Sequence, residues 1–196
     1  STNAKVYTWI RDILYIATSD HRIENKPYTD TTHPTPKNSK RGSGIHAFRM
    51  DATGSLFYVT QSLHPDAHNV ARDTDYRNID RVSYRSIKRF NNGDHVVVSN
   101  DYGYGFHVFS NDHSGQLTYV TSSTVGVHNN RTWDVQPFTV SGNTYIAVCN
   151  DNSDGYGKMQ VYSFNTTTNK LSRYPVYWHN SGSYYSLDVI SDGSNQ

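Results

Sequence analysis

At 196 residues and 35% hydrophobic side chains, the chain is long enough for one well-cored domain. A formal net charge of +1 leaves no bulk electrostatic case for a nucleic-acid partner, and no apolar run approaches the length needed for membrane insertion. Sixteen Tyr against two Met favour half-exposed sheets and binding faces, because a Tyr ring is apolar with a polar tip. A single cysteine, Cys149 in the apolar run TYIAVCN, excludes an intrachain disulfide and is expected as a small core residue. Gly-x-Ser-x-Gly, Walker-type, Cys-x-x-Cys and His-Glu-x-x-His motifs are all absent, which counts against the common hydrolase, nucleotide and zinc-protease classes.

In chain order, Lys5–Ile10 and Ile13–Thr18 run apolar or alternating over strand lengths. Ser19–Ser43 carries three Pro and no periodicity, so it reads as a long loop. Gly44–Met50 and Ser55–Leu63 flank a turn closed by Gly54 and read as a hairpin. His64–Asp80 is a second polar connection. Arg81–Phe90 and His95–Ser99 are strands about the turn Asn91–Asp94, and Asn100–Gly105 is a tight loop. A second hairpin follows at Phe106–Ser123. Thr132–Val140, Thr144–Cys149, Lys158–Phe164 and Leu171–Trp178 repeat the same order, with a loop at Asn150–Gly157. Ser183–Ile190 starts another unit. No stretch shows helical periodicity.

Two of these hairpins are copies of one another. Ile45–Ser62 aligns without a gap on Phe106–Ser123, and His46/His107, Phe48/Phe109, Asp51/Asp112, Gly54/Gly115, Leu56/Leu117 and Tyr58/Tyr119 are among the identities. Met159–Trp178 is a looser third copy. Four short strands recurring every ~45–50 residues are the pattern of a β-propeller blade. The expected fold is therefore all-β, a propeller-like array of four-stranded antiparallel blades. It forms a single domain over 1–196, with blades near 4–63, 80–125 and 131–178 and the start of another at 183–196. The phrases FNNGDHVVVSND…FHVFSNDHSGQLTYV and WDVQPFTVSGNTYIAVCND…MQVYSFNTTTNKL resemble blades of lactonase-type (YVTN-like) propellers. They are equally similar to the epitempin/EAR repeat. Three blades and a strand do not close a familiar ring, so the expectation is a fragment of a longer chain or completion by neighbouring copies. The start at Ser1 rather than Met adds the expectation of a processed or trimmed N-terminus.

Three sets of residues map to the loop face of such a fold. His68, His128 and His179, each followed by Asn, recur once per inter-blade connection and are candidate ligand-binding residues; three imidazoles also suit a transition metal. Asp101, Asp151 and Asp154 lie in Asp/Asn-rich loops, where calcium is the cofactor to consider at Asp151 and Asp154, and Asx turns are the alternative. Tyr102, Tyr104 and Tyr156 sit in the same Gly-flanked loops and would offer flat platforms to a sugar or peptide. Trp133 is expected to pack between blades, and the basic run Arg72–Arg89 to be a solvated face. Asn130 and Asn165 begin glycosylation sequons.

The resulting expectation is a secreted or extracellular, non-catalytic module. It would recognise protein or glycan (protein binding, carbohydrate binding) through the aromatic and Asp loops and would tend to self-association, with no nucleic acid and no membrane insertion. Alternatives are a structural subunit, self-assembling into a filament or ring completed by neighbouring copies, and a lactonase-like propeller hydrolase.

Overall fold

The computed structural model describes residues 5–18, 44–62, 84–100, 105–123, 130–152, 157–180 and 186–189. These residues build three four-stranded antiparallel sheets, each strand hydrogen-bonded to the next in sequence. The first sheet holds β1 (Lys5–Ile10), β2 (Ile13–Thr18), β3 (Gly44–Met50) and β4 (Leu56–Ser62). The second holds β5 (Tyr84–Phe90), β6 (His95–Asn100), β7 (Phe106–Asn111) and β8 (Leu117–Ser122). The third holds β9 (Asn130–Val140), β10 (Asn143–Asn152), β11 (Gly157–Asn165) and β12 (Lys170–Asn180). No α-helix occurs among the described residues. The first strands pack most closely against one another, β1 on β5 and β5 on β9, while the fourth strands β8 and β12 touch far less. This radial arrangement is the propeller expected from the repeat.

Tight turns set the hairpins. Asp51 Oδ1 accepts the backbone N–H groups of Thr53 and Ser55 at 2.8 and 2.9 Å, and Asp112 Oδ1 accepts that of Ser114 at 2.8 Å. These bonds hold both carboxyls below their ordinary pKa, chiefly through the hydroxyls of Thr53 and Ser114. Gly115, at φ 108°, has a second reason to be glycine: a Cβ there would meet Val59 Cγ1 at 2.8 Å, where the first sheet touches the second. Both hairpins carry a register shift at the same place, after Ala47 and after Val108. In β12 the shift leaves Pro175 and Val176 outside the Gln160–Tyr177 and Val161–Tyr174 pairs, which suits a residue with no N–H to donate.

The apolar core lies between sheets. Ile13, Tyr15, Ala17, Ile45 and Ala47 of the first sheet meet Ile87, Val96, Val98, Phe109 and Leu117 of the second. Phe90, Val97, Phe106 and Val108 on the second sheet's other face meet Val135, Ile146, Val148, Tyr162 and Phe164 of the third. Successive residues of β6 thus face opposite sheets, so HVVVSN is buried at every position. Polar ties also cross the interfaces. The Tyr15 hydroxyl donates to Asn111 Oδ1 at 2.9 Å, and His95 Nε2 lies 2.9 Å from Asn169 Oδ1. Burial pushes the Tyr15 hydroxyl up to about 12 and the Cys149 thiol up to about 12. Cys149 is buried, as its apolar run implies.

The strands depart from the sequence reading in two places. β10 runs on to Asn152 and β11 begins at Gly157, so the ends of the expected loop Asn150–Gly157 lie in strands. The turn Asn91–Gly93 is a short 3-10 segment with Asn91 and Asn92 both at positive φ, a conformation Asn tolerates.

Candidate functional site

The first strands of the second and third sheets are interrupted at equivalent points. In β5 the pairs Tyr84–Asn100 and Ile87–Val98 leave two residues, Arg85 and Ser86, against Ser99 alone. In β9 the pairs Asp134–Cys149 and Thr132–Asn150 make Trp133 the extra residue of the strand. Each is a bulge, and a bulge re-aims the side chain of its extra residue. Here the two extra residues meet: the Arg85 guanidinium carbon lies 4.3 Å from the centroid of the Trp133 ring. Both side chains are half-buried. A cation over an indole face is held electrostatically, and partial desolvation strengthens the attraction.

The surroundings hold this pair in place. Ser99 Oγ donates to the Trp133 carbonyl oxygen at 3.3 Å, tying β6 to the β9 bulge. Thr132 Oγ1 donates to Asn150 Oδ1 at 2.7 Å, while the buried Asn150 Nδ2 has no hydrogen-bond partner among the described residues. Tyr84, next to Arg85, is fully buried with its hydroxyl 3.2 Å from His107 Nδ1, and burial raises its pKa far above the ordinary value. Asp134, next to Trp133, accepts the N–H of Val135 on Oδ1 at 2.9 Å and the N–H of Leu187 on Oδ2 at 3.0 Å. Asp188 makes the same local bond to the Val189 N–H at 2.9 Å. The strings TWDV and SLDV therefore occupy like positions, and Asp134 links them.

These bulges lie near the end of the sheets from which segments 63–83, 101–104, 124–129 and 153–156 depart. His68, Asp101, Tyr102, Tyr104, His128, Asp154 and Tyr156 fall in those segments, outside the described residues. Of the remaining candidates, Asp151 is in β10 opposite Arg131, not in a loop, and His179 is in β12 opposite Lys158, on the strand farthest from β9. Asn130 opens β9 opposite Asn152. Asn165 ends β11, is exposed, and accepts the N–H groups of Thr167 and Thr168 at 3.0 and 2.9 Å. No cluster of three potential metal ligands occurs among the described residues.

Sequence reasoning set Arg85 in a solvated basic run and gave Trp133 to packing between blades. In the structure Arg85 is half-buried against the Trp133 ring and not fully solvated, while Trp133 of the third sheet does pack against the second, between sheets as expected. Only the strand register brings YRSI and TWDV to matching places beside the second strands VVVSN and IAVCN, since their spacings along the chain differ.

No protein-family model and no curated protein matches the sequence. The fold resembles solved structures. A protein from Lactobacillus plantarum superposes with TM-score 0.53 at 16% identity over 87% of this chain and 40% of its own. A candidate 6-phosphogluconolactonase from Bacteroides uniformis gives 0.50 at 16% identity, over 86% of this chain and 37% of its own. The chain thus spans about two-fifths of the length of these neighbours. The likeness bears out the all-β, propeller-like fold. The expectation of a non-catalytic recognition or assembly module is overturned, because the Bacteroides uniformis neighbour is a candidate 6-phosphogluconolactonase.

Proposed function

We propose that the chain is part of a lactonase-like propeller hydrolase acting on the lactone of a phosphorylated or acidic sugar, and that its repeats are of the YVTN-like type. The observation that carries the reading is the Arg85–Trp133 pair, built by matching bulges at the loop end of two neighbouring first strands. A guanidinium presents a rigid fork of N–H donors that fits carboxylate or phosphate oxygens. An indole offers a flat apolar surface for a sugar ring. The buried Asn150 Nδ2 adds a donor that a ligand oxygen would satisfy. The fold likeness to a candidate 6-phosphogluconolactonase supports the same substrate class.

In the reaction, water adds to the lactone carbonyl, the ring C–O bond breaks, and the product acid releases its proton. Arg85 anchors the anionic group and so fixes the carbonyl for attack.

The test is acid release from 6-phosphoglucono-δ-lactone and from glucono-δ-lactone, each corrected for spontaneous hydrolysis. Arg85→Met is expected to lower kcat/KM on the phosphorylated lactone about 10- to 100-fold, the worth of a charged hydrogen bond, with a smaller effect on the neutral one. A protein that leaves both spontaneous rates unchanged overturns the proposal.

A further inference from the structure

Corresponding strands line the gap between the first and second sheets and the gap between the second and third. Val98 packs toward the first sheet, so Asn100, two residues on, faces the same way, with Tyr84 paired beside it. Val148 packs toward the second sheet, so Asn150 and its partner Thr132 face that sheet. His107 beside Val98 likewise corresponds to Gln160 beside Val148. In the first gap a ring occupies the place next to the asparagine: Tyr84 is fully buried, 5.7 Å from the His107 ring. In the second gap the smaller Thr132 stands at that place. Its neighbours there are polar. Gln160 Oε1 accepts the Tyr162 hydroxyl at 2.8 Å, and Ser99 and Arg85 reach across from the second sheet to Trp133.

Asn150 is fully buried in this polar place. Thr132 Oγ1 donates to its Oδ1 at 2.7 Å, which orients the amide and leaves Nδ2 as the end without a hydrogen-bond partner among the described residues. A buried donor left unpaired destabilises a fold, and a site built around one rejects a ligand that brings it no oxygen. The next residue, Trp133, carries the Arg85 guanidinium on its ring. The two donors therefore differ in kind: the guanidinium is charged and half-buried, the amide neutral and fully buried. Taking an anion out of water against one neutral amide costs far more than placing it beside a cation that keeps some solvent. The acidic group of a ligand thus belongs with Arg85, and an uncharged oxygen with Asn150.

We infer that Asn150 is a specificity-determining residue of the site, its amide donating to the lactone carbonyl oxygen while Arg85 holds the acidic group. This rests on the lactonase reading and adds which part of the substrate each donor takes. The carbonyl oxygen gains negative charge as water adds to the carbon, so a donor aimed at it counts for more during the reaction than before it.

Rates on 6-phosphoglucono-δ-lactone and glucono-δ-lactone, read together with thermal unfolding, test it. Asn150→Asp keeps an oxygen for Thr132 and removes the donor. It is expected to lower kcat/KM about 100-fold on both lactones, whereas Arg85→Met acts mainly on the phosphorylated one. The double variant Thr132→Val with Asn150→Leu replaces both hydrogen-bonding partners by apolar groups of similar shape. Its thermal midpoint is expected to match or exceed that of the unsubstituted protein while kcat/KM falls as far. A merely structural amide would do the reverse, lowering the midpoint and sparing the rate per folded molecule. Full activity in Asn150→Asp overturns the inference, as does a loss confined to the phosphorylated lactone. An unsubstituted protein that leaves both spontaneous rates unchanged overturns the lactonase reading and this one with it; an active protein whose Asn150 variants keep their rates overturns this one alone.

Discussion

The hairpins Ile45–Ser62 and Phe106–Ser123 have nearly the same letters and different fates. Leu56 is 48% exposed, and its counterpart Leu117 is 3% exposed. Phe48 is half-buried and Phe109 fully buried. Their turns are alike: an Asp carboxylate gathers the following N–H groups and a Gly closes the loop. Local sequence thus builds the same hairpin twice, while energetic weight depends on whether another sheet lies on top. An apolar group contributes in proportion to the area it removes from water.

Truncating the buried ring should separate the copies most. Phe109→Ala is expected to cost about 3–5 kcal/mol and Phe48→Ala about half of that, read from urea unfolding at equal slope. Equal losses would mean that Phe48 is covered in solution too. Next come the leucines. Leu117→Ala should cost about 2–5 kcal/mol, and Leu56→Ala about 0.5 kcal/mol or less.

Alkaline pH probes the buried interface alone. The folded protein holds the protons of Tyr15, Tyr84 and Cys149 more tightly than the unfolded chain does, because burial disfavours their anions. Their contribution is whole below the ordinary values of 9.0 for the thiol and 10.0 for the phenols, and is lost as pH rises through the raised ones. Stability should therefore begin to fall above about pH 9, at up to roughly 1.4 kcal/mol per pH unit for each group being deprotonated on unfolding. Cys149→Ala should delay the onset. A flat profile up to pH 11 would contradict this burial.

The smallest effect is one in which the copies should agree. Asp51 and Asp112 have pKa values lowered from 3.8, so their contribution is present above that value and lost as pH falls through the folded ones. Asp51→Ala and Asp112→Ala should each cause a small, similar loss at neutral pH that disappears in acid, seen as a modest drop in thermal midpoint. A large asymmetry would show that one turn is held by something beyond its own hairpin.

Much of the fold was written in period and punctuation. Alternating residues, Gly-closed turns and a recurring unit lead to four-stranded antiparallel sheets in sequential order, because a strand's side-chain period and a turn's φ requirements are local properties. The run HVVVS announced a strand buried on both faces for the same reason. What the letters did not decide was which of two like hairpins would be covered, since that depends on the sheet beside it and not on the hairpin itself. Nor did they bring Arg85 to Trp133. Those residues are 48 positions apart and meet because two bulges, each set by pairing with its own second strand, stand side by side when the first strands pack. Register shifts and sheet packing are products of the assembled chain, and the proposed site arises from them.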